Sequence, residues 1–236
     1  MKVSVVLPTY NERENIGGLI GTLLGILGDA AEIIVVDDNS PDGTSEVVER
    51  IAGEERRVKL VRRLHERGLR SAIAAGIAHS GGDAIAWMDC DLSMPPEVVP
   101  GLLRALETSD IAVGSRYVRG GCDVGHSPLA RLFSRAINLM ASLFLGVSIR
   151  DYTSGFVVAR RPVFTDIQLV GDYGEYCIDF LYRARKMGFR VVEVPYRCVP
   201  RRHGQSKTGT NAVELMRRGV KYITTIVRLR FPSWGR

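Results

Sequence analysis

Short apolar runs alternate, over the first 114 residues, with longer segments in which apolar residues recur every third or fourth position. Val3–Leu7, Ile33–Val36, Val58–Val61, Ala84–Met88 and Ile111–Val113 have the length and composition of buried parallel strands. Between them, residues 12–27 place Ile16, Leu19, Ile20, Leu23, Leu24 and Leu27 on one side of a helix, which glycines 17, 18, 21 and 25 weaken. The Pro41-Asp42-Gly43-Thr44 turn opens a helix reaching about Ala52, and a further helix covers roughly 69–79. Pro95-Pro96-Glu97 begins another, since proline is tolerated in a first turn. This order predicts an α/β fold built on a mainly parallel, doubly wound sheet.

The pattern changes after residue 114. Residues 115–128 are glycine-rich and irregular, and 129–147 read as an amphipathic helix. Phe156–Ala159 is a strand, 175–187 a helix and Val191–Val194 a strand; a polar loop, 200–210, leads to a basic amphipathic helix over about 211–229. There is no internal repeat, so the organisation expected is one domain over 1–210 with a C-terminal helix over 211–236. No segment reaches the roughly 18 uninterrupted apolar residues of a membrane span; the nearest, Leu129 to Val147, contains Arg131, Ser134, Arg135 and Asn138. The chain opens directly with a strand, without the pattern of a signal peptide.

Composition adds two constraints. Four scattered cysteines, Cys90, Cys122, Cys177 and Cys198, show no paired spacing, which argues against a zinc site or disulfide framework and fits a reducing cytoplasm. The net charge of +6 is unevenly placed: residues 201–236 hold nine Lys/Arg and one acid, a local +8, so the tail calls for an anionic partner.

The candidate chemistry lies where the predicted strands end, because ligands of open α/β sheets bind outside the carboxyl ends of strands. Pro8-Thr9-Tyr10-Asn11-Glu12 follows the first strand. It offers an aromatic and a carboxylate, with Asn11 as a helix cap the plainer reading. Val36-Asp37-Asp38-Asn39-Ser40 follows the second; its acids suit ribose or base, or a capping turn, or both. Asp89-Cys90-Asp91 follows the fourth. Two carboxylates there suit a hard divalent cation shared with substrate phosphates; the alternative is a solvated loop. Arg116 follows the fifth strand and could hold an anionic oxygen or lie at the surface. Arg131 and Arg135 sit four apart on an apolar helix, and Arg201 to Lys207 form a basic loop that either closes over phosphates or is solvated. No nucleophile elbow, phosphate-binding Gly-rich loop ending in Lys-Ser/Thr, or dinucleotide fingerprint is present.

Taken together, these motifs resemble the inverting glycosyltransferase family 2, with its GT-A, Rossmann-like fold, and within it the dolichol-phosphate mannose synthases and their polyprenyl-phosphate relatives. The resemblance runs from Val3 to about Lys207. It is carried by Pro8-Thr9-Tyr10-Asn11-Glu12-Arg13-Glu14-Asn15, Val36-Asp37-Asp38-Asn39-Ser40-Pro41-Asp42, Asp89-Cys90-Asp91-Leu92 with Pro95-Pro96-Glu97, Gly114-Ser115-Arg116-Tyr117, Ser154-Gly155-Phe156 and Gly204-Gln205-Ser206-Lys207. It implies that Pro8, Tyr10, Glu12, Val36 and Asp38 hold the nucleotide. Asp89, Cys90 and Asp91 would face the diphosphate, and Asp89, Asp91 and Ser93 would hold Mg²⁺ or Mn²⁺. Arg116 and Arg131 would position the acceptor phosphate, and Arg201 and Lys207 would cover the donor. The chain departs from the usual pattern at three places: Ser93 replaces a Gln and would reach the metal only through water, Gln205 replaces a Glu, and Arg70 stands where a small residue is common.

The resemblance implies a nucleotide-sugar donor, GDP-mannose first, and a dolichyl or polyprenyl phosphate acceptor, with a UDP-sugar transferase as the alternative. It further implies a cytoplasmic protein on the membrane surface, its 129–147 and C-terminal helices lying in the interface, with packing of both helices into the core as the plainer alternative. A non-catalytic nucleotide-sugar or nucleic-acid binding module is the rival of another class. The tail's sparse aromatics, Tyr222, Phe231 and Trp234, and the acidic cleft weigh against it, so nucleic acid is not an expected partner.

Overall fold

A computed structural model describes residues 1–146, 149–204 and 212–231, the side chains of 212–215 excepted. The amino-terminal half alternates strand and helix as the hydropathy pattern predicts: β1 (Val3–Thr9), α1 (Arg13–Leu27), β2 (Ala31–Asp37), α2 (Thr44–Glu54), β3 (Val58–Arg62), α3 (Leu69–Ala78), β4 (Ala84–Trp87), α4 (Val99–Ala105) and β5 (Ile111–Ser115). Then follow β6 (Cys122–Asp123), α5 (Pro128–Leu145), β7 (Val157–Arg160), α6 (Val163–Asp166), α7 (Tyr176–Lys186), β8 (Val191–Pro195), β9 (Arg197–Cys198) and α8 (Ala212–Arg230). The two-residue strands β6 and β9 and the single turn α6 carry too few residues to show a period, so the sequence pattern does not reveal them.

Seven strands form one sheet in the order β3-β2-β1-β4-β7-β5-β8. All pairs are parallel except those of β7, which runs against both β4 and β5. Thr9 lies opposite Asp37, and Val6 opposite Trp87. The loops leaving β1, β2 and β4 therefore emerge side by side at one edge. The reversed β7 starts at the edge where its parallel neighbours end, which brings residues 151–156 to the loop after β5.

Strand alternation divides the core into two layers. Val3, Val5 and Leu7 face a layer with Ile16, Leu19 and Leu23 of α1 and Val48 of α2. Val6, Ile34, Ile85 and Trp87 face the other, with Ile73 of α3, Ile137 and Ala141 of α5 and Phe180 of α7. Trp87 meets Phe180 edge-on at 5.6 Å, and its indole Nε1 donates to the Tyr176 hydroxyl at 2.9 Å, so the one polar atom of the ring is satisfied.

The C-terminal helix is more than an appendage to 1–210. Ile226 is fully buried in the same core layer as α5 and α7, with Tyr222 and Leu229 packed against it. Close approach to α5 depends on Gly219, where an added Cβ would lie 2.8 Å from the ring of Phe133. Both helices nonetheless keep an outer apolar face: Leu129, Leu132, Leu139 and Leu143 on α5, and Met216, Val220 and Ile223 on α8, are exposed. No helix among the described residues is long and apolar enough to cross a membrane.

Gly76 fixes the contact of α3 with β1. A Cβ there would fall 2.2 Å from Val6 Cγ1 and 3.0 and 3.1 Å from its other methyl and Cβ, so Val6 or the helix must shift to admit it. In a helix, Gly→Ala ordinarily gains about 1 kcal/mol, whereas overpacking costs typically ~1–3 kcal/mol. Gly76→Ala is therefore expected to lower stability, read as an earlier urea-unfolding midpoint with unchanged slope; a later midpoint would refute the packing argument.

Candidate active site

Three acid-bearing loops meet over the sheet edge, and each contains a non-glycine residue in the left-handed region: Asn11 at φ 55°, Asn39 at φ 56° and Leu92 at φ 64°. Asparagine tolerates this conformation through local hydrogen bonding; leucine has no such help and is strained by about 1–2 kcal/mol. The strained turn folds the loop after β4 back on itself, so that Asp91 Oδ1 accepts from the Ser93 amide at 3.0 Å. Asp89, Asp91 and Ser93 consequently face one cavity of about 570 Å³, shared with Pro8, Tyr10, Glu12, Asp38 and Cys90. Cys90 is buried, its thiol 3.5 Å from the Pro8 carbonyl, which ties the β4 loop to the end of β1.

The loop after β2 divides its labour. Asp37 is a turn builder: it accepts from the Ser40 amide at 3.0 Å and the Ser45 hydroxyl at 2.6 Å, and also from the Ser40 hydroxyl. Asp42 accepts from the Thr44 amide and hydroxyl and from the Arg13 amide; burial would raise its carboxyl pKa, but these bonds outweigh burial and lower it. Only Asp38 faces the cavity. It is held in a buried ion pair by the Arg63 guanidinium, with Nε at 2.7 Å, and by the Gly68 amide at 2.8 Å. Val36 is not on the cavity wall: its side chain lies in the core and its carbonyl accepts from the Thr9 hydroxyl.

The carboxyl-terminal loop closes the site. The Val199 amide donates to the Ser93 carbonyl at 3.0 Å and the Arg202 amide to the Asp91 carbonyl at 3.1 Å. Arg201 then reaches Asp91 Oδ2 at 2.9 Å and lies 3.7 Å from Glu12 Oε1. One guanidinium thus bridges carboxylates from two strand ends. Lys207, expected beside it, and Gln205 lie outside the described residues.

Arg116 behaves differently from its expected part as an anion clamp. Its fork grips Asp151 at 2.8 Å through both Nε and Nη2, and further bonds run to Asp123 Oδ2 at 3.3 Å and the Thr153 hydroxyl at 2.9 Å. Burial alone would lower its pKa; the Asp151 carboxylate outweighs burial and raises it well above the ordinary value. A desolvated guanidinium requires such neutralisation, so Arg116 sets the cavity wall with its charge already balanced. Arg116 lines the cavity, but Arg131 does not; its Nη1 donates to the Asp123 carbonyl at 3.0 Å. Arg70 points to the Gly171 carbonyl at 2.9 Å.

Several residues at the site carry no sequence signal. Asp151 and Asp123 are single acids in irregular segments. Arg63 and Arg67 follow β3, which bears no acidic motif; the Arg67 guanidinium lies 4.9 Å over the Tyr10 ring. Arg218 and Tyr222 of α8 line the cavity from what the sequence suggests is a tail, with Arg218 4.5 Å over Tyr173.

Asp151→Asn keeps the shape of the pair but removes half its charge. Breaking a buried pair costs ~3–5 kcal/mol, so the variant is expected to unfold at a markedly lower urea concentration; a loss below about 1 kcal/mol would show that the network does not neutralise Arg116 as described.

Comparison with known proteins agrees with this architecture. The family model described as "Glycosyl transferase family 2" matches residues 4–168. The dolichol-phosphate mannosyltransferase of Pyrococcus furiosus is 40% identical over 212 residues, covering 88% of this chain but only 59% of that protein. The polyprenol monophosphomannose synthase of Mycolicibacterium smegmatis is 40% identical over 222 residues, covering 90% of this chain and 83% of its own length. Among solved structures, glucosyl-3-phosphoglycerate synthase from Mycobacterium tuberculosis, in complex with Mn²⁺, uridine diphosphate and phosphoglyceric acid, superposes with a TM-score of 0.74 at 21% identity, over 98% of this chain and 78% of that one. With the matched segment spanning most of the sheet and all three acidic loops, the chain belongs to glycosyltransferase family 2.

Proposed function

We propose that this protein transfers mannose from GDP-mannose to the phosphate of a dolichyl or polyprenyl lipid, with inversion at the anomeric carbon. The observation that carries the reading is the convergence of Glu12, Asp38, Asp89, Asp91 and Arg201 on one cavity, whose volume of about 570 Å³ is in the range of small-molecule sites. Similarity to the two lipid-phosphate mannose enzymes supports the choice of sugar and acceptor.

The oxygen donors present fit Mg²⁺ or Mn²⁺: Asp89 and Asp91 carboxylates, with the Ser93 hydroxyl on the same wall. Bound there, the ion neutralises charge developing on the leaving diphosphate. Arg201, already beside Asp91, adds positive charge at that position, and Lys207 is assigned the same task. Pro8, Tyr10 and Asp38 form the nucleotide wall, with Arg67 over the Tyr10 ring at its mouth. An acceptor phosphate monoester, with a second pKa of about 6, is already a nucleophile at neutral pH and requires no protein base. Arg116 acts through the wall that it orders.

The acceptor's lipid has an approach in α5 and α8. Ala130, Phe133 and Ile137 of α5 and Tyr222 of α8 line the cavity, while the outer faces of the same helices expose leucines, Met216 and Val220. A helix pair with an apolar outer face and Arg217, Arg218, Lys221, Arg228 and Arg230 nearby suits the headgroup region of a cytoplasmic leaflet.

Two experiments test this. Incubation with a panel of labelled GDP- and UDP-sugars and a polyprenyl phosphate, with and without chelator, is expected to move label from GDP-mannose into the lipid phase only with divalent cation present. Asp91→Ala should reduce transfer by at least 10²-fold on the scale of a lost electrostatic group; full activity would refute the metal assignment, and transfer from a UDP-sugar alone would refute the donor. Separately, the protein should cosediment with anionic vesicles at low salt and be released at high salt, and Leu132→Glu with Leu143→Glu should weaken that binding. Indifference of the unmodified protein to anionic vesicles would sink the interfacial arrangement.

A further inference from the structure

β6 and β9 form a parallel ribbon in which Asp123 lies opposite Cys198. His126, three residues after Asp123, folds back over it: its amide donates to Asp123 Oδ1 at 3.1 Å and its Nδ1 is 3.0 Å from each carboxylate oxygen. The Cys198 sulfur is 3.8 Å from that nitrogen. Carboxylate oxygen, imidazole nitrogen and sulfur all lie within 4.8 Å of one another. In a tetrahedral zinc site, bonds of roughly 2.0–2.3 Å separate ligand atoms by about 3.3–3.8 Å. The trio already approximates one face of such a tetrahedron, and all three residues line the cavity, which leaves a fourth position open.

We propose that Asp123, His126 and Cys198 form a second cation site, selective for a thiophilic divalent ion such as Zn²⁺ and separate from the all-oxygen clamp of Asp89 and Asp91. The donor sets differ in kind. Sulfur and imidazole favour Zn²⁺ strongly over Mg²⁺ and Mn²⁺, while an all-oxygen set suits Mg²⁺ and Mn²⁺. Mg²⁺ at the oxygen clamp would thus not compete for the sulfur–imidazole site. The inference does not depend on the transfer reaction.

The charges close. Binding displaces the thiol proton to solvent and requires Nδ1 unprotonated, with the imidazole proton on the exposed Nε2. Thiolate and carboxylate then balance the dication. Metal binding is therefore proton-coupled and tightens as pH rises. Two guanidiniums lie nearby: Arg116, 3.3 Å from Asp123 Oδ2 and also paired with Asp151, and Arg131, which donates to the Asp123 carbonyl at 3.0 Å; both Asp123 carboxylate oxygens remain within 3.0 Å of His126 Nδ1. Because the ribbon joins residues 122–126 to the segment that runs on to Arg201, an ion here would tether the strand leading to the Asp91–Arg201 contact.

Co²⁺ titration of the full chain, followed by absorbance, is the test. A thiolate-to-cobalt charge-transfer band in the near ultraviolet is expected, displaced by Zn²⁺ but not by excess Mg²⁺. Cys198→Ser should abolish the band, and Asp91→Ala should retain it even when transfer is lost, which separates this site from the proposed reaction. His126→Gln, at an exposed position outside the core, should weaken Co²⁺ binding by at least about tenfold. Absence of the band in the unmodified protein, its persistence in Cys198→Ser, or unchanged affinity in His126→Gln would overturn the proposal.

Discussion

Parallel pairing of β1 with both β2 and β4 crowds carboxylates into one cleft, and the rest of the site answers that crowding. Glu12, Asp38, Asp89 and Asp91 leave adjacent strand ends in register and face one cavity, where like charges repel more strongly than in water. Counter-charge must therefore be built in. Arg63 neutralises Asp38, and Arg201 serves Asp91 and approaches Glu12. A divalent cation at Asp89 and Asp91 would extend the same logic to the substrate's phosphates.

This requirement explains why an arginine from residue 201 belongs to a site built in the first 120 residues. Backbone bonds from Val199 and Arg202 to the Asp91 loop hold the later segment in place, so its guanidinium is positioned by main-chain contacts on both sides. The reversed strand β7 has a similar effect on the other flank. It brings Asp151 to the end of β5, where the buried Arg116 is compensated by Asp151 at 2.8 Å and by Asp123 at 3.3 Å. The proposed Asp123–His126–Cys198 site sits on the ribbon that connects these two flanks.

The packing of α5 and α8 decides the core part of two readings that compete in the sequence. Each helix is amphipathic enough to lie against the core or in a membrane interface. Ile137 and Ala141 of α5 and Ile226 of α8 take the core role, while Leu132, Leu143 and Val220 remain outside. A stripe wide enough to serve both is possible because the two helices share the burial between them, with Gly219 admitting Phe133.

Local pattern alone determined the strand–helix alternation, the two-layer core and the acids at the strand ends, because these depend on hydropathy period and on residues adjacent in the chain. The family resemblance rests on the same contiguous motifs. Partnership needed the tertiary structure. Asp37 and Asp38 are neighbours of identical chemistry, yet one builds a turn and the other faces the cavity, because successive residues at a strand end point to opposite sides. Arg116 reads as an anion clamp until Asp151, thirty-five residues later, is seen to occupy its fork. Charges are visible in a sequence, but what neutralises each is a matter of distance in space, which pairing across the sheet decides.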